Sequence, residues 1–381
     1  MTGGMRGVIK LPTAQPRASI ATSVAPVVGI RPTGIRFELV DGLDALREEW
    51  DALAHEGQSI FSTWEFANTW WEQFGGGRRL LAVACFDGGG LFAILPLYLW
   101  RRRPLRVIRL LGNGCGDILG PICRPDRRSD AGRALRRLLE VASWDWDVFV
   151  AENLPADHGW ARRLGGNVIR REGNPVLRIH GGFEQYLAGR TPNFRHQARA
   201  RERRLARHHH VEYRLSTDPG RLDDDLTTLF RLHARRFDGD SAFGGPRAAF
   251  HRRFAHQALE RGWLRLWILE LDGRPAAAEY GFRFGGAECF YQLGRDPSFA
   301  RESLGTTMLT HAIRAGVEDG VREFGFLRGH EQYKYRFATE DGGLESLCVV
   351  RGPAAAAALA VVQAVKASPT ARRALRGPLD M

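Results

Sequence analysis

"WLRLWILELDGRPAAAEYGFRFGGAECFYQLGRDP", residues 263–297, is the stretch that decides the fold. Three runs rich in aromatic and large aliphatic residues are typical of strands. They are separated by Asp272–Gly273 and Gly285–Gly286, which are dipeptides that favour tight turns. The stretch therefore predicts an antiparallel meander of three strands.

A helix and a fourth strand are predicted after the meander. "SLGTTMLTHAIRAGVEDG" (303–320) has the helical spacing of apolar residues, and "VREFGFLRG" (321–329) has the composition of a strand. The apolar residues that share one face of the predicted helix are Leu304, Met308, Leu309, Ala312, Ile313 and Val317.

The first half of the chain repeats this order. A hairpin over 79–100 and a strand at 105–112 precede a basic helix at 129–143 and a strand at 146–153. Two predicted helices come before the meander in each half. We therefore predict an α/β fold with mixed sheets, made of two tandem units that are joined by a basic helix over 191–210.

The composition indicates a folded protein with more than one core. The chain has 381 residues and a formal net charge of +12, and its basic residues are spread along the whole sequence. This spread argues against nucleic-acid binding as the main activity. The five cysteines form no CxxC pair, which suits a reducing compartment and predicts a cytoplasmic protein.

These features predict a division into four segments. Residues 1–34 are expected to form a disordered leader, 35–180 the first unit, 181–352 the second unit and 353–381 a helical tail. The alanine-rich run in the tail is shorter than the ~20 apolar residues of a membrane span, so no span is predicted.

The end of the second half resembles a known family. "FLRGHEQYKYRF" (326–337), together with "SLGTTML" (303–309), is similar to the CelD-like acetyltransferases of the GNAT superfamily, which are often labelled cellulose-biosynthesis proteins. Two such units bridged by an arginine-rich helix also resemble the Fem-type branch. The resemblance covers roughly residues 35–350. It implies transfer of an acyl group from acetyl-CoA or another acyl-CoA to a small molecule, a sugar or an envelope precursor.

The resemblance implies a coenzyme A site at the start of the helix near residue 303. Most GNAT proteins have several glycines there, whereas this chain has only Gly305, so the free N–H groups of the helix would have to bind the phosphates. The alternative is that Ser303 merely caps a core helix. The candidate donor-binding residues are Arg301, Ser303, Leu304, Gly305, Thr306 and Thr307.

Acyl transfer to an amine or hydroxyl needs a general base and an acid. Glu279 lies in an apolar strand, where burial would raise its pKa and suit it as the base; the alternative is that it faces solvent. Tyr291 and Tyr333 are candidate acids, although buried tyrosines more often belong to the core.

Lys334 is the only lysine between residues 11 and 365, in a chain that otherwise uses arginine. Because an ammonium can lose or share a proton and a guanidinium cannot, Lys334 is a candidate catalytic or substrate-facing cation. Arg328, Glu331 and Tyr335 lie beside it and are candidate substrate-binding residues. In the glycine-rich stretch 111–122, Asp117 is either an acceptor contact across the two units or a simple turn residue.

The basic segment 191–210 leaves other functions open. Arg195, Arg199 and Arg203 share one helical face, which suits an anionic acceptor, a tRNA backbone, an acidic membrane surface or plain solvent. One alternative is therefore a Fem-type transferase that uses aminoacyl-tRNA. Another is a non-catalytic accessory protein of exopolysaccharide assembly. The adjacent His208–His210 cannot converge on one ion, so no metal is predicted.

Overall fold

The computed structural model describes residues 34–57, 59–102, 105–237 and 241–367. The expected leader lies outside these residues except for Gly34, and the tail beyond residue 367 lies outside them as well. Within the described residues, no helix combines the length and the apolar character that a membrane crossing requires.

The first half of the chain alternates helices with short strands. Its helices are α1 (Arg47–Gly57), α2 (Trp64–Phe74), α3 (Arg128–Val141) and α4 (Trp160–Leu164). Its strands are β1 (Arg36–Leu39), β2 (Arg79–Leu80), β3 (Val83–Asp87), β4 (Gly90–Leu95), β5 (Leu97–Arg102), β6 (Leu105–Leu110), β7 (Ile122–Cys123), β8 (Val148–Pro155) and β9 (Asn167–Glu172).

The second half has longer elements. Its helices are α5 (Phe183–Ala188), α6 (Pro192–His208), α7 (Leu222–Phe237), α8 (Pro246–Glu260), α9 (Leu304–Glu318), α10 (Gln332–Tyr335) and α11 (Gly352–Ala367). Its strands are β10 (Pro175–Arg178), β11 (Val211–Leu215), β12 (Leu264–Leu271), β13 (Arg274–Phe284), β14 (Ala287–Arg295), β15 (Glu323–Gly325), β16 (Glu340–Asp341) and β17 (Leu344–Val350).

The strands form three sheets, and the two units exchange strands between them. The second unit has one sheet, which we call the second sheet, with the strand order β11-β12-β13-β14-β15-β10-β16. The first unit has two sheets, with the orders β1-β3-β4-β7 and β2-β5-β6-β8-β17-β9. Strand β10 thus precedes the second unit in the chain but lies inside its sheet. Strand β17 follows the second unit but lies between β8 and β9. We call the elements around β1–β9 the first unit and those around β10–β16 the second unit.

A parallel strand pair occurs at the same place in each unit. Strands β14 and β15 pair only as far as Cys289 and Gly325, although β14 continues to Arg295. Strands β6 and β8 pair only as far as Arg109 and Val150. Beyond these last hydrogen bonds the strands of each pair separate and leave a gap.

The two units share one hydrophobic core. Phe66 of α2 packs edge-on against Phe250 and Phe254 of α8, with ring centroids 5.3 and 5.1 Å apart. Beside this cluster, the hydroxyl of Thr69 donates to the side-chain oxygen of Gln257 at 2.7 Å. The interface between the units is therefore packed like the interior of a single domain.

The predicted mixed α/β class is confirmed, and so are the meander (β12, β13 and β14) and the basic connecting helix α6. The strand predicted over 321–329 is shorter than expected because Leu327 has a φ of 57°, which ends the extended conformation. The segment boundaries at 180 and 352 remain a prediction. A cut at 180 would assign β10 to the first unit although it hydrogen-bonds in the second sheet.

Candidate active site

A glycine-rich loop of the first unit, residues 111–121 between β6 and β7, reaches the second unit. Tyr291 of β14 donates its hydroxyl to the carbonyl oxygen of Cys115 at 2.8 Å. Nε of Arg328 lies 3.8 Å from Oδ1 of Asp117. The loop therefore brings Asp117 to the turn that follows β15. The predicted contact of Asp117 with an acceptor stays a prediction.

The environment of Asp117 changes its acidity. Its side chain is only 14% exposed. Burial raises the pKa of Asp117 to about 6, and the charges of Arg328 and Lys334 oppose this rise. A carboxyl group with a pKa near neutrality can accept a proton and release it again at physiological pH, which is the requirement for a general base.

Lys334 lies inside the turn that follows β15. Lys334 is buried, with only 4% of its surface exposed. Its Nζ donates to the carbonyl oxygen of Arg328 at 2.6 Å and pairs with Oε2 of Glu331 at 3.1 Å. The turn contains two left-handed residues, Leu327 (φ 57°) and Gly329 (φ 134°). A non-glycine residue with positive φ costs free energy and is concentrated at functional sites. Lys334 therefore holds the backbone of a strained turn that carries Arg328.

Tyr335 fixes the far side of the same turn. Its hydroxyl donates to Oδ2 of Asp341 at 2.7 Å, and burial together with this carboxylate raises the pKa of Tyr335 to about 12. A Cβ on Gly173 would collide with the Tyr335 hydroxyl, so only glycine fits there. Tyr335 thus attaches the turn to the segment before β10.

A cavity of about 220 Å³ lies where β14 and β15 separate, at the N-terminus of α9. We call it the donor cavity. It contains four of the six predicted donor-binding residues and the predicted acid Tyr333. Its lining residues are Phe290, Leu293, Arg295, Ala300, Ser303, Leu304, Gly305, Thr306 and Tyr333.

The start of α9 is open rather than capped. Ser303 occupies the N-cap position with a φ of 54°, and its side chain makes no capping hydrogen bond. The interpretation that Ser303 caps the helix through its hydroxyl is therefore wrong. Gly305 does not have a positive φ, so its backbone does not require a glycine. An added Cβ would lie 3.8 Å from the Leu293 side chain, so the missing side chain leaves space in the donor cavity. Thr307 is buried with its hydroxyl 3.4 Å from the Ser303 carbonyl oxygen, and Arg301 is exposed.

Glu279 is buried in the second sheet. The residue is 2% exposed, and its Oε2 has no hydrogen-bond partner within the described part of the chain. The predicted rise in its pKa is confirmed: burial raises it well above the usual value, and the nearby Glu288 raises it further. The alternative that Glu279 faces solvent is wrong. The residue lines neither the donor cavity nor the cavity described next.

Sequence reasoning missed a second cavity, of about 200 Å³, which we call the aromatic cavity. Arg78 and Arg247 both line it, and neither forms an ion pair within the described part of the chain. The carbon Cζ of Arg78 lies 5.2 Å from the ring centre of Trp100. The other lining residues are Trp70, Phe74, Tyr98, Asn113, Gly114, Cys115, Gly244 and Pro246.

The aromatic cavity had a signal in the sequence. "WEFANTWWEQFGGGRR" (64–79) is unusually rich in tryptophan for a helix of a soluble protein. Trp70 of this helix donates its indole N–H to the carbonyl oxygen of Asn113 at 2.9 Å, which attaches the glycine-rich loop to α2. The same loop therefore lines the aromatic cavity through Gly114 and Cys115 and presents Asp117 to the second unit.

The two candidate acids differ in their surroundings. Tyr291 is buried, and burial raises its pKa well above the usual value while its hydroxyl is bound to Cys115. Tyr333 lines the donor cavity and packs edge-on against Phe290 at 6.4 Å. Tyr291 thus anchors the loop, whereas Tyr333 faces the cavity.

No cluster of three or more His, Cys, Asp or Glu side chains that could hold a metal ion occurs among the described residues. In the segment 208–210, Nδ1 of His209 instead lies 2.7 Å from Oδ2 of Asp272. The chemistry available at the site is therefore that of Asp117, Arg328, Lys334 and Tyr333.

Residues 192–335 match a family model described as an acetyltransferase (GNAT) domain. This match covers less than half of the chain and contains the donor cavity, Arg328 and Lys334. No curated protein matches the chain at the level of sequence.

Solved structures with a similar fold cover most of the chain. A structure titled as FemX has 10% sequence identity, covers 80% of this chain and 96% of its own, and superposes with a TM-score of 0.60. The C-terminal domain of a putative lysylphosphatidylglycerol synthetase from Agrobacterium fabrum has 12% identity, covers 85% and 96%, and gives a TM-score of 0.55. L-PGS from Bacillus licheniformis has 13% sequence identity, covers 85% of this chain and 95% of its own, and gives a TM-score of 0.52. At these identities the similarity establishes the fold alone.

Proposed function

We propose that the protein is an acyltransferase that moves an acyl group from an acyl-CoA in the donor cavity to an acceptor in the aromatic cavity, with Asp117 as the general base. One observation carries the proposal. The loop that lines the aromatic cavity also carries Asp117, and α10, which lines the donor cavity through Tyr333, also carries Lys334. The contact between Asp117 and Arg328 therefore joins the loop that lines the aromatic cavity to the turn that precedes α10.

The donor cavity has features that suit a phosphate-bearing thioester. The N–H groups of Leu304 and Gly305, the first two of α9, have no partner within the helix and, with the helix dipole, attract anions. Arg295 lines the cavity and Arg301 is exposed beside it. The gap between β14 and β15 leaves backbone groups of both strands free to bind the extended arm of the donor.

The aromatic cavity suits an acceptor that combines a ring with negative charge. Trp70, Tyr98 and Trp100 offer flat apolar faces, on which sugar or aromatic rings pack. Arg78 and Arg247 supply two guanidinium groups without a carboxylate partner, and such groups bind phosphate or carboxylate well. An anionic sugar or envelope precursor, as the CelD-like resemblance implies for polysaccharide biosynthesis in the cytoplasm, has this chemistry.

The proposed reaction is direct transfer. Asp117 removes a proton from the acceptor amine or hydroxyl, whose electron pair attacks the thioester carbonyl carbon. The tetrahedral oxyanion that forms collapses, the C–S bond breaks, and the departing thiolate takes a proton from Tyr333. The products are the amide or ester and free coenzyme A. Lys334 acts as a positioning residue because its Nζ holds the backbone of Arg328.

One observation favours a second donor, an aminoacyl-tRNA. Helix α6 has a single acidic residue, Glu202, and it passes close to the start of α9, since Nε of Arg204 lies 3.7 Å from Oε2 of Glu302, next to Ser303. Such a surface suits a polyanion. The arginines of this helix are Arg195, Arg199, Arg201, Arg203, Arg204 and Arg207.

The thermal stability of the full chain with acetyl-CoA, longer acyl-CoAs and tRNA, at fixed salt, tests the proposal. A saturable rise in Tm with an acyl-CoA supports it, because a ligand that binds only the folded state raises stability. A salt-sensitive rise with tRNA alone would replace the donor by an aminoacyl-tRNA. If neither class of ligand shifts Tm, the catalytic proposal fails and the accessory role gains support.

A further inference from the structure

A third cavity, of about 360 Å³, lies between the first unit and the outer strands of the second sheet. It is formed by the segment before α3, the segment after β8, and residues of β10, β15 and β16. It shares no lining residue with the donor cavity or the aromatic cavity. We call it the inter-sheet cavity.

Arg128 supplies positive charge to the wall of the inter-sheet cavity. It is the first residue of α3, is half-buried, and makes no ion pair among the residues that the structure describes. Helix α3 has no side chain that caps its N-terminus, and the positive end of the helix dipole lies there.

The wall of this cavity also contains an unpaired hydrogen-bond donor. Trp160 is 3% exposed, and its indole N–H has no hydrogen-bond partner among the residues that the structure describes. This nitrogen lies beside Gly120, another lining residue, because a Cβ built on that glycine would be 3.8 Å from it. Leaving a buried donor unpaired is unfavourable, so the N–H indicates a partner that is bound from outside.

Three carboxylates also line the inter-sheet cavity, and the lining cation Arg178 pairs with only two of them. Glu323 and Glu340 both form ion pairs with Arg178, and Oε2 of Glu340 lies 3.2 Å from Nε of Arg178. Asp157 is exposed and has His158 as its nearest cationic partner, at 3.8 Å. Burial and the charge of Arg128 lower the pKa of His158 to about 4, so at pH 7 the imidazole is neutral and leaves the Asp157 charge unbalanced.

We propose that the inter-sheet cavity binds a small dipolar molecule, whose anionic group lies at Arg128, the start of α3 and Trp160, and whose ammonium group lies at Asp157 and Glu323. A ligand with only negative charge would meet the three carboxylates, and one with only positive charge would meet Arg128 and the helix dipole. A dipolar molecule such as an ω-amino acid satisfies both ends. This inference does not rest on the proposed transferase activity.

Calorimetric titration of the full chain with a homologous series tests this inference. The probes are glycine, β-alanine, 4-aminobutyrate and 6-aminohexanoate, with propionate and propylammonium as singly charged controls. We expect affinity to peak at one chain length, which reports the distance between the charged ends. Propionate and propylammonium should bind at least about tenfold more weakly, the loss expected for one charge-assisted hydrogen bond. Equal affinity for propionate and the best ω-amino acid, or no binding by any member, would overturn the proposal.

Variants locate the binding with matched charge changes. Arg128→Gln should weaken the best probe at least about tenfold, whereas Arg133→Gln, on the exposed side of the same helix, should not. Asp157→Asn should weaken it while Asp145→Asn, which removes an exposed carboxylate near β8, leaves it unchanged. Equal effects of the cavity and control variants would show a general charge effect and overturn the site.

Trp160→Phe separates binding from folding. The change keeps the ring and removes only the unpaired N–H, so the free protein should melt at the same or a higher temperature while the probe binds more weakly. If Trp160→Phe lowers Tm and leaves the probe affinity unchanged, the indole has a structural role and the assignment of the anionic end is wrong.

Discussion

The two units have the same order of elements but use the gap between their parallel strands differently. Each has a non-glycine residue with positive φ soon after the last parallel pair, Asn153 within β8 of the first unit and Leu327 after β15 of the second, both at 57°. In the first unit Asn153 is tied to its own glycine-rich loop, since its side-chain amide donates to the Gly116 carbonyl oxygen at 2.9 Å and its carbonyl accepts from Leu119 at 3.0 Å. In the second unit the gap remains open as the donor cavity.

The difference follows from the length of one connection. Residues 111–127 join β6 to α3 and fold over the gap of the first unit, whereas residues 296–303 join β14 to α9 and leave the corresponding gap free. The longer loop then extends to the second unit, where it presents Asp117 to Arg328. In our proposal one copy of the repeated fold provides the donor cavity, and the other copy provides the base.

The largest expected effect is the loss of the base. Asp117→Asn should lower the rate of acyl transfer by roughly 10²–10⁴-fold, the usual contribution of a general base. The measurement is release of the coenzyme A thiol with an accepted acceptor. Asp145→Asn, an exposed carboxylate of the first unit, is the control and should keep full activity.

The same change should not destabilise the fold. Because the folded pKa of Asp117, about 6, is above the usual 3.8, the ionised carboxylate destabilises the protein above pH 6. Asp117→Asn should therefore raise the free energy of unfolding at pH 8, by up to about 3 kcal/mol. A variant that is both inactive and less stable at pH 8 would make Asp117 a structural residue of the loop.

Glycines of the two central helices should respond in opposite ways. Gly305→Leu fills the donor cavity and should weaken donor affinity by about 2 kcal/mol, or roughly 30-fold, with little change in Tm. Gly132→Ala in α3 places a Cβ 2.9 Å from the Cβ of Arg163, so it should cost about 1–3 kcal/mol of stability through overpacking. Donor-dependent Tm shifts and urea denaturation measure the two effects. If Gly305→Leu and Gly132→Ala lower stability equally, then Gly305 is as tightly packed as Gly132, and the claim that the second unit has an open donor cavity fails.

The charge of Arg328 should set the pH dependence of the rate of acyl transfer. Because the guanidinium lowers the pKa of Asp117, Arg328→Gln should raise that pKa and move the acidic limb of the pH–rate profile upward by about one pH unit. The wild-type rate should rise with pH through about 6. A parallel loss of rate at every pH, without a shift, would mean that Arg328 does not act through Asp117.

The smallest effect is expected where the loop is anchored. Tyr291→Phe removes the hydrogen bond to the Cys115 carbonyl and should cost about 1 kcal/mol of stability, with only a several-fold loss of activity. A loss as large as that of Asp117→Asn would instead assign Tyr291 to proton transfer. Denaturant unfolding and the thiol-release assay distinguish these outcomes.

Local patterns determined how much the sequence could predict. The turn dipeptides and the spacing of apolar residues predicted the meander and α9, because both depend on neighbours along the chain. The contact between Asp117 and Arg328 and the walls formed by Trp70 and Tyr98 depend on packing between distant segments, which periodicity does not report. The exchange of β10 and β17 was missed for the same reason.

Lys334 shows both the reach and the limit of composition. It is the only lysine between residues 11 and 365, and its predicted catalytic or substrate-facing role stays a prediction. In the structure the ammonium lies inside a strained turn and bonds to the Arg328 carbonyl and to Glu331. The ammonium is a compact cation, whereas a guanidinium is planar and branched.

Calorimetric titration of the full chain with acetyl-CoA tests the central claim most directly, because it counts donor sites. The account predicts one molecule per chain, with binding weakened roughly 30-fold by Gly305→Leu and retained by Asp117→Asn. Two molecules per chain, or binding that Gly305→Leu leaves unchanged, would contradict the claim that the donor binds in the second unit only.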